Sequence, residues 1–152
     1  MTPGPISATV VADRAAWIRR MLAGIRTLPI ESAAEFAADP RTAAAAESYL
    51  RRALEALLDL GRHILAKGFA RGVAEYKAIA DALGEERVLT AADAALMMRL
   101  AGYRNRMVHF YNAVSDEELR RICGDQLSDI EHLLDALLSW VGAHPDKVDR
   151  AI

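Results

Sequence analysis

Four side chains that could act on a phosphate group lie within one stretch of eight residues: Arg104, Asn105, His109 and Tyr111. Apolar residues recur with helical periodicity through residues 90–113, and Gly102 is the only glycine or proline there, so the pattern predicts a helix. At about 100° per residue, Arg104 and Tyr111 lie about 20° apart. Asn105 and His109 are one turn apart on a neighbouring stripe. One helix thus presents a cation, an amide, an imidazole and a phenol.

These residue types suit cleavage of a phosphodiester. An arginine fork binds phosphate, and an imidazole titrates near neutral pH and can serve as general base or acid. That chemistry requires no metal. An arginine and a histidine on a helix also commonly make surface or capping contacts, so spacing alone leaves both interpretations open.

The string Arg-Asn-x-x-x-His-x-Tyr resembles the signature of the HEPN domain, in particular of its HepT-like toxin branch. A second stretch, Leu54–Ile64, resembles the second helix of that family, which carries a Glu-and-Asp run. The resemblance extends from about Asp13 to Val141.

The resemblance implies the toxin of a type VII-like toxin–antitoxin pair that acts as a metal-independent endoribonuclease on RNA. Arg104 and His109 would be catalytic, the first binding the phosphate and the second assisting attack of the 2′-hydroxyl or protonating the leaving oxygen. Asn105 would support them. The expected products are a 2′,3′-cyclic phosphate and a 5′-hydroxyl.

Two carboxylates on the second helix, Glu55 and Asp59, are one turn apart and share a face. One of them could orient the motif arginine or histidine from behind. Both could equally be solvated or pair with Arg51, Arg52 or Arg62.

The resemblance also implies partners. HEPN proteins of this kind form homodimers in which the motif helices face each other. This would help here, because Arg104 and His109 point about 140° apart on one helix. A MntA-like nucleotidyltransferase antitoxin would add AMP to Tyr111, placing negative charge near Arg104. Without the resemblance, Tyr111 would be expected to pack its ring and bond the backbone.

A second function remains open: a non-catalytic, dimeric helical binding subunit of a nucleotidyltransferase complex. The chain has a net charge of −2, whereas non-specific nucleic-acid binders usually carry a positive excess. Any RNA contact must therefore come from arginines gathered locally.

Composition indicates one globular domain of 152 residues, 53% hydrophobic and 26% charged. Cys123 is the only cysteine and is expected to be a small buried hydrophobe. No metal-ligand spacing or cofactor motif is evident, and neither a signal peptide nor a membrane span is expected. A cytoplasmic location is predicted.

The predicted architecture is all-α: an antiparallel bundle of four main helices and one short helix, forming a two-fold homodimer. The expected divisions are a flexible leader (1–7), a helical domain (8–142) and a polar tail (143–152). A short helical turn is expected around 32–38. The predicted helices span residues 8–27, 41–67, 73–83, 90–113 and 115–141.

Overall fold

The computed structural model describes residues 4–109 and 114–149, and these ranges are helical almost throughout. Four long helices are joined by shorter ones, which confirms the predicted all-α fold. In chain order the described helices are α1 (Ala8–Arg26), α2 (Ala33–Ala38), α3 (Pro40–Phe69), α4 (Tyr76–Glu85), α5 (Ala91–His109), α6 (Asp116–Asp125) and α7 (Leu127–Ala143), followed by a 3₁₀ turn (Pro145–Lys147).

The helix starts predicted at residues 41, 90 and 115 are confirmed to within one residue. The Thr90 hydroxyl accepts a hydrogen bond from the Asp93 N–H at 3.1 Å, and the Ser115 hydroxyl accepts one from the Glu118 N–H at 3.1 Å. Pro40 occupies the first turn of α3, where its missing N–H removes no intrahelical bond. Side chains supply the partners that these first turns lack.

The segment predicted as one last helix is two helices. Gln126 ends α6 at φ −106° and ψ −4°, and α7 begins at Leu127. Gly124, a weak helix former, lies two residues before the break. The short fourth helix also begins at Tyr76 rather than at residue 73. The predicted extension of α5 over residues 110–113 lies outside the described residues.

Within the predicted leader (1–7) and polar tail (143–152), some of the described residues are part of the packed fold. Ile6 is fully buried, and its N–H donates to the Lys147 carbonyl at 2.8 Å. The Asp149 N–H donates to the Ile6 carbonyl at 2.9 Å, so the two ends form a short parallel bridge. The Ile6 side chain lies against Gly68, which leaves room for it. Burying this apolar side chain offsets the cost of ordering the segment.

The long helix α3 is the centre of the fold. It contacts every other described α-helix, and its apolar stripe is buried along the whole length. Gly61 on this stripe lets α4 approach closely, because a Cβ there would lie 2.8 Å from a methyl of Leu83. The described residues share one hydrophobic core. None of their helices is both long and apolar enough to cross a membrane.

Candidate active site

Arg104, Asn105 and His109 converge on a cavity of about 430 Å³ beside the last turns of α5. We call it the motif cavity. Its lining comes from Arg62 of α3, from the residues that lead into and start α4 (Ala74, Glu75, Tyr76 and Lys77), and from the motif residues Arg104, Asn105 and His109. Although Arg104 and His109 leave the helix about 140° apart, both line this cavity within one chain.

Arg104 is held by three neighbours. Its side chain is only 19% exposed, and its Nε lies 3.6 Å from a carboxylate oxygen of Glu55. Its Cζ lies 4.6 Å from the ring centroid of Tyr76, and its Nη1 donates to the Asn105 side-chain oxygen at 3.4 Å. Within the described residues the buried Nε has no hydrogen-bond partner, so the Glu55 contact is an ion pair and not a hydrogen bond. The guanidinium is therefore positioned without being fully neutralised.

The two carboxylates of α3 behave differently. Glu55 lies near Arg104 and also pairs with Arg51 at 3.2 Å, so it has both the orienting and the salt-bridge contacts considered for it. Asp59 instead pairs with Arg62 at 2.9 Å and accepts a long hydrogen bond, 3.4 Å, from the Tyr76 hydroxyl. Among the described residues, Asp59 is therefore linked to Arg104 through Tyr76 and not by a direct ion pair.

Arg62 fixes the segment that leads into α4. Its guanidinium donates to the carbonyl of Val73 at 3.2 Å and to that of Ala74 at 3.0 Å. Its Cζ also lies 5.3 Å from the ring centroid of Tyr76. Because Asp59 holds Arg62 in turn, the start of α4 is tied to α3 at the wall of the motif cavity.

The start of α4 adds a favourable field for an anion. Tyr76 and Lys77 are its first residues, and the preceding residue Glu75 makes no capping hydrogen bond through its side chain. Helix N-termini carry partial positive charge and favour anions. The pKa of Tyr76 is raised, first by burial and then by the nearby Asp59 carboxylate, so its hydroxyl stays protonated at neutral pH.

A second cavity, of about 490 Å³, adjoins the first. We call it the flanking cavity; it is lined by Lys77, Arg99, Gly102, Tyr103, Asn105, Arg106 and His109. Arg106 donates to both carboxylate oxygens of Glu118, at 2.7 and 2.9 Å. This pair holds the pKa of Glu118 below its usual range and joins α5 to α6.

The remaining histidines lie in structural contacts. His63 accepts a hydrogen bond from the Ser7 N–H at 2.9 Å, and burial, followed by the charge of nearby Lys67, lowers its pKa. His132 contacts Asp93 at 2.9 Å on the exposed side of α7. Cys123 is buried, as predicted, and burial raises its pKa to about 12. No group of His, Cys, Asp or Glu side chains in the described ranges could hold a metal ion.

The structure brings together Arg104, Asn105 and His109, with Glu55 beside Arg104, and adds residues of α4 that the sequence did not indicate. Tyr76 and Lys77 lie about 30 residues before the motif, and no local pattern connects them with it. Tyr111, the predicted modification site, lies outside the described residues.

Comparison with known proteins supports the fold and the family pattern. The model of the family described as "Ribonuclease HepT-like" matches residues 18–137. The sequence matches none of the curated proteins with which it was compared.

Three solved structures illustrate the likeness. A toxin–antitoxin crystallised with AMP-PNP shares 19% identity, with a TM-score of 0.76 over 84% of this chain and 97% of that one. The tri-AMPylated Shewanella oneidensis HEPN toxin in complex with its MNT antitoxin shares 19% identity, with a TM-score of 0.77 over 86% and 97%. YutE of Bacillus subtilis, described as a cytosolic protein of unknown function, shares 19% identity, with a TM-score of 0.73 over 91% and 93%. At these identities the likeness concerns the fold.

Proposed function

We propose that this chain, which belongs to the HepT-like ribonuclease family, is the cytoplasmic RNA-cleaving toxin of a toxin–antitoxin pair. The observation that carries the proposal is that Arg104, Asn105 and His109 line one cavity. A guanidinium and an imidazole beside one pocket are the groups that phosphodiester cleavage needs.

Arg104 binds the scissile phosphate in this proposal. Its guanidinium is oriented by Glu55 and Tyr76 before substrate arrives. Preorganised donors stabilise charge that develops in the transition state more than they stabilise the ground state. The uncapped start of α4 adds partial positive charge on the same side.

His109 moves the protons. The RNA 2′-oxygen attacks the adjacent phosphorus while an imidazole takes the hydroxyl proton, and the 5′-oxygen leaves with a proton from an imidazolium. The products are a 2′,3′-cyclic phosphate and a 5′-hydroxyl, and no metal takes part. A two-fold homodimer with facing α5 helices would supply a second His109, so that one histidine acts as base and the other as acid.

The test is RNA cleavage in EDTA by the wild type and by two substitutions, Arg104→Ala and His109→Ala. Each substitution is expected to lower kcat/KM by about 100-fold or more. His132→Ala and Arg19→Ala are the matched controls, since both side chains are exposed and lie outside the motif cavity. Full cleavage by both motif variants would refute the mechanism. Absence of cleavage by an unmodified wild type would favour the non-catalytic binding subunit instead.

Tyr111 is proposed as the site at which a MntA-like nucleotidyltransferase antitoxin adds AMP. The support is its position two residues after His109, in the family pattern, together with the likeness of the fold to the AMPylated Shewanella oneidensis toxin. A phosphodiester-linked AMP near Arg104 would occupy the arginine with negative charge and block RNA.

Intact-mass analysis after co-expression with the transferase tests this assignment. The wild type is expected to gain mass in whole adenylyl groups and to lose RNase activity. Tyr111→Phe should show neither change, while Tyr103→Phe, the matched control on α5, should be modified like the wild type. An unmodified wild type, or a fully modified Tyr111→Phe, would exclude Tyr111 as the acceptor.

A further inference from the structure

We propose that the flanking cavity is a subsite for the RNA nucleotide next to the scissile phosphate, with Lys77 and Arg99 binding the backbone phosphate of that nucleotide. This inference rests on the proposed ribonuclease function and extends it to a second part of the substrate.

The two cavities are neighbours that share part of their lining. Lys77, Asn105 and His109 line both of them, so the motif cavity and the flanking cavity meet at the imidazole. A chain bound with one phosphate at Arg104 must leave the motif cavity on some side. The flanking cavity, which Arg99 also lines, is the neighbouring space on one of these sides.

The charge of the flanking cavity suits a polyanion. Its lining contains three cations, Lys77, Arg99 and Arg106, and no carboxylate. Arg106 is engaged by Glu118, but among the described residues neither Lys77 nor Arg99, both exposed, has an ion-pair partner. Most other arginines of this acidic chain are paired, so these two cations remain available for a phosphate.

The floor of the flanking cavity has room for a nucleotide. Gly102 carries no side chain, and a Cβ placed there would only touch the Lys77 side chain at 3.8 Å. The half-buried Tyr103 lines the same cavity and offers an aromatic surface. Bases of single-stranded RNA stack on such rings with little sequence preference. Phosphate contacts from the cations and stacking on Tyr103 together define a subsite that does not select a sequence.

The test compares two substrates and two measurements. Binding of a labelled single-stranded RNA of about 12 nucleotides, within the length range of single-strand grooves, is followed by fluorescence anisotropy on the inactive His109→Ala background. Cleavage of the same RNA and of a dinucleotide is followed with His109 intact. The variants are Lys77→Ala, Arg99→Ala and their double substitution, with Arg99→Lys as rescue and Arg19→Ala as control.

The double variant is expected to bind the oligonucleotide about tenfold or more weakly, with a log Kd versus log[salt] slope reduced by about 0.7, since the two cations bind one backbone phosphate and each single-strand phosphate contributes about 0.7. Its loss of kcat/KM should be larger for the oligonucleotide than for the dinucleotide, and should lie in KM. Arg99→Lys should restore most of the affinity, and Arg19→Ala should bind like the parent.

Unchanged oligonucleotide affinity and salt slope in the double variant would overturn the subsite while leaving the ribonuclease proposal intact. An equal loss on both substrates would also overturn it, because Lys77 and Arg99 would then act only at the scissile phosphate. If the wild type cleaves neither substrate, the ribonuclease proposal fails, and the binding measurement alone then decides the subsite.

Discussion

Replacing Tyr76 tests whether α4 positions the motif arginine. The ring of Tyr76 lies 4.6 Å from the Arg104 guanidinium, which is 19% exposed. Cation–π contacts contribute about 0.5–1 kcal/mol when exposed and about 2 kcal/mol when desolvated. For this mostly buried side chain we expect Tyr76→Leu to lose about 1–2 kcal/mol of transition-state stabilisation, which corresponds to about a 5- to 30-fold fall in kcat/KM for RNA.

Tyr76→Phe is the matched control. It keeps the aromatic face and removes only the hydroxyl, whose hydrogen bond to Asp59 is long at 3.4 Å. Its kcat/KM should therefore fall by less than about threefold. Urea unfolding of both variants separates positioning from loss of folded protein.

A double-substitution cycle makes the prediction for Tyr76 sharper. If the ring acts through Arg104, adding Tyr76→Leu to Arg104→Ala should lower kcat/KM no further. Equal activities of the leucine and phenylalanine variants, or additive losses in the cycle, would refute the positioning role.

Three further predictions concern stability and reactivity. The neutral form of His63 accepts a backbone hydrogen bond, and its pKa lies below the ordinary value of 6.5. Its contribution to the free energy of unfolding should therefore be full above about pH 6.5 and be lost as the pH falls. In urea titrations, the free energy of unfolding of His63→Gln should depend less on pH than that of the wild type. In Gly61→Ala, the added Cβ would lie 2.8 Å from Leu83, and this overpacking should cost about 1–3 kcal/mol of the free energy of unfolding. The higher helix propensity of alanine should offset about 1 kcal/mol of that cost. Gly142→Ala should not destabilise the protein, because a Cβ there meets nothing within 4 Å. Cys123, with a pKa of about 12, should react with iodoacetamide in urea but hardly at all in the native protein at pH 8; rapid native labelling would contradict its burial.

The sequence alone predicts the helical elements well because their signals are local. The apolar stripe of α3 and the caps at Thr90 and Ser115 act within a few residues. The break at Gln126 is less visible, since one glycine in a long periodic segment costs only about 1 kcal/mol and packing decides the outcome. The burial of Ile6 depends on a partner segment about 140 residues away, for which no local signal exists.

The residues of the site also fall into those that a local pattern predicts and those that only tertiary packing brings there. Arg104, Asn105 and His109 are neighbours on one helix, so helical geometry places them on a common sector. Tyr76 and Lys77 enter the site only because α4 packs against α3 and α5. The Arg62 guanidinium then fixes the start of α4 through two backbone carbonyls. Such contacts follow from tertiary packing, which a periodic pattern does not encode.

The net charge of −2 argues against an RNA function, but the total says little about the charge at the site, because many charges elsewhere are paired. On the other surfaces, several arginines are paired with nearby carboxylates: Arg26 with Glu131, Arg41 with Asp39, Arg71 with Glu85 and Glu86, and Arg120 with Glu117. Those pairs nearly cancel in the field that a distant anion experiences. Around His109, by contrast, Lys77 and Arg99 have no carboxylate partner among the described residues, and Arg104 meets Glu55 only at 3.6 Å. A polyanion responds to this local excess within about one Debye length, ~10 Å at 0.1 M salt, and not to the total charge of the chain.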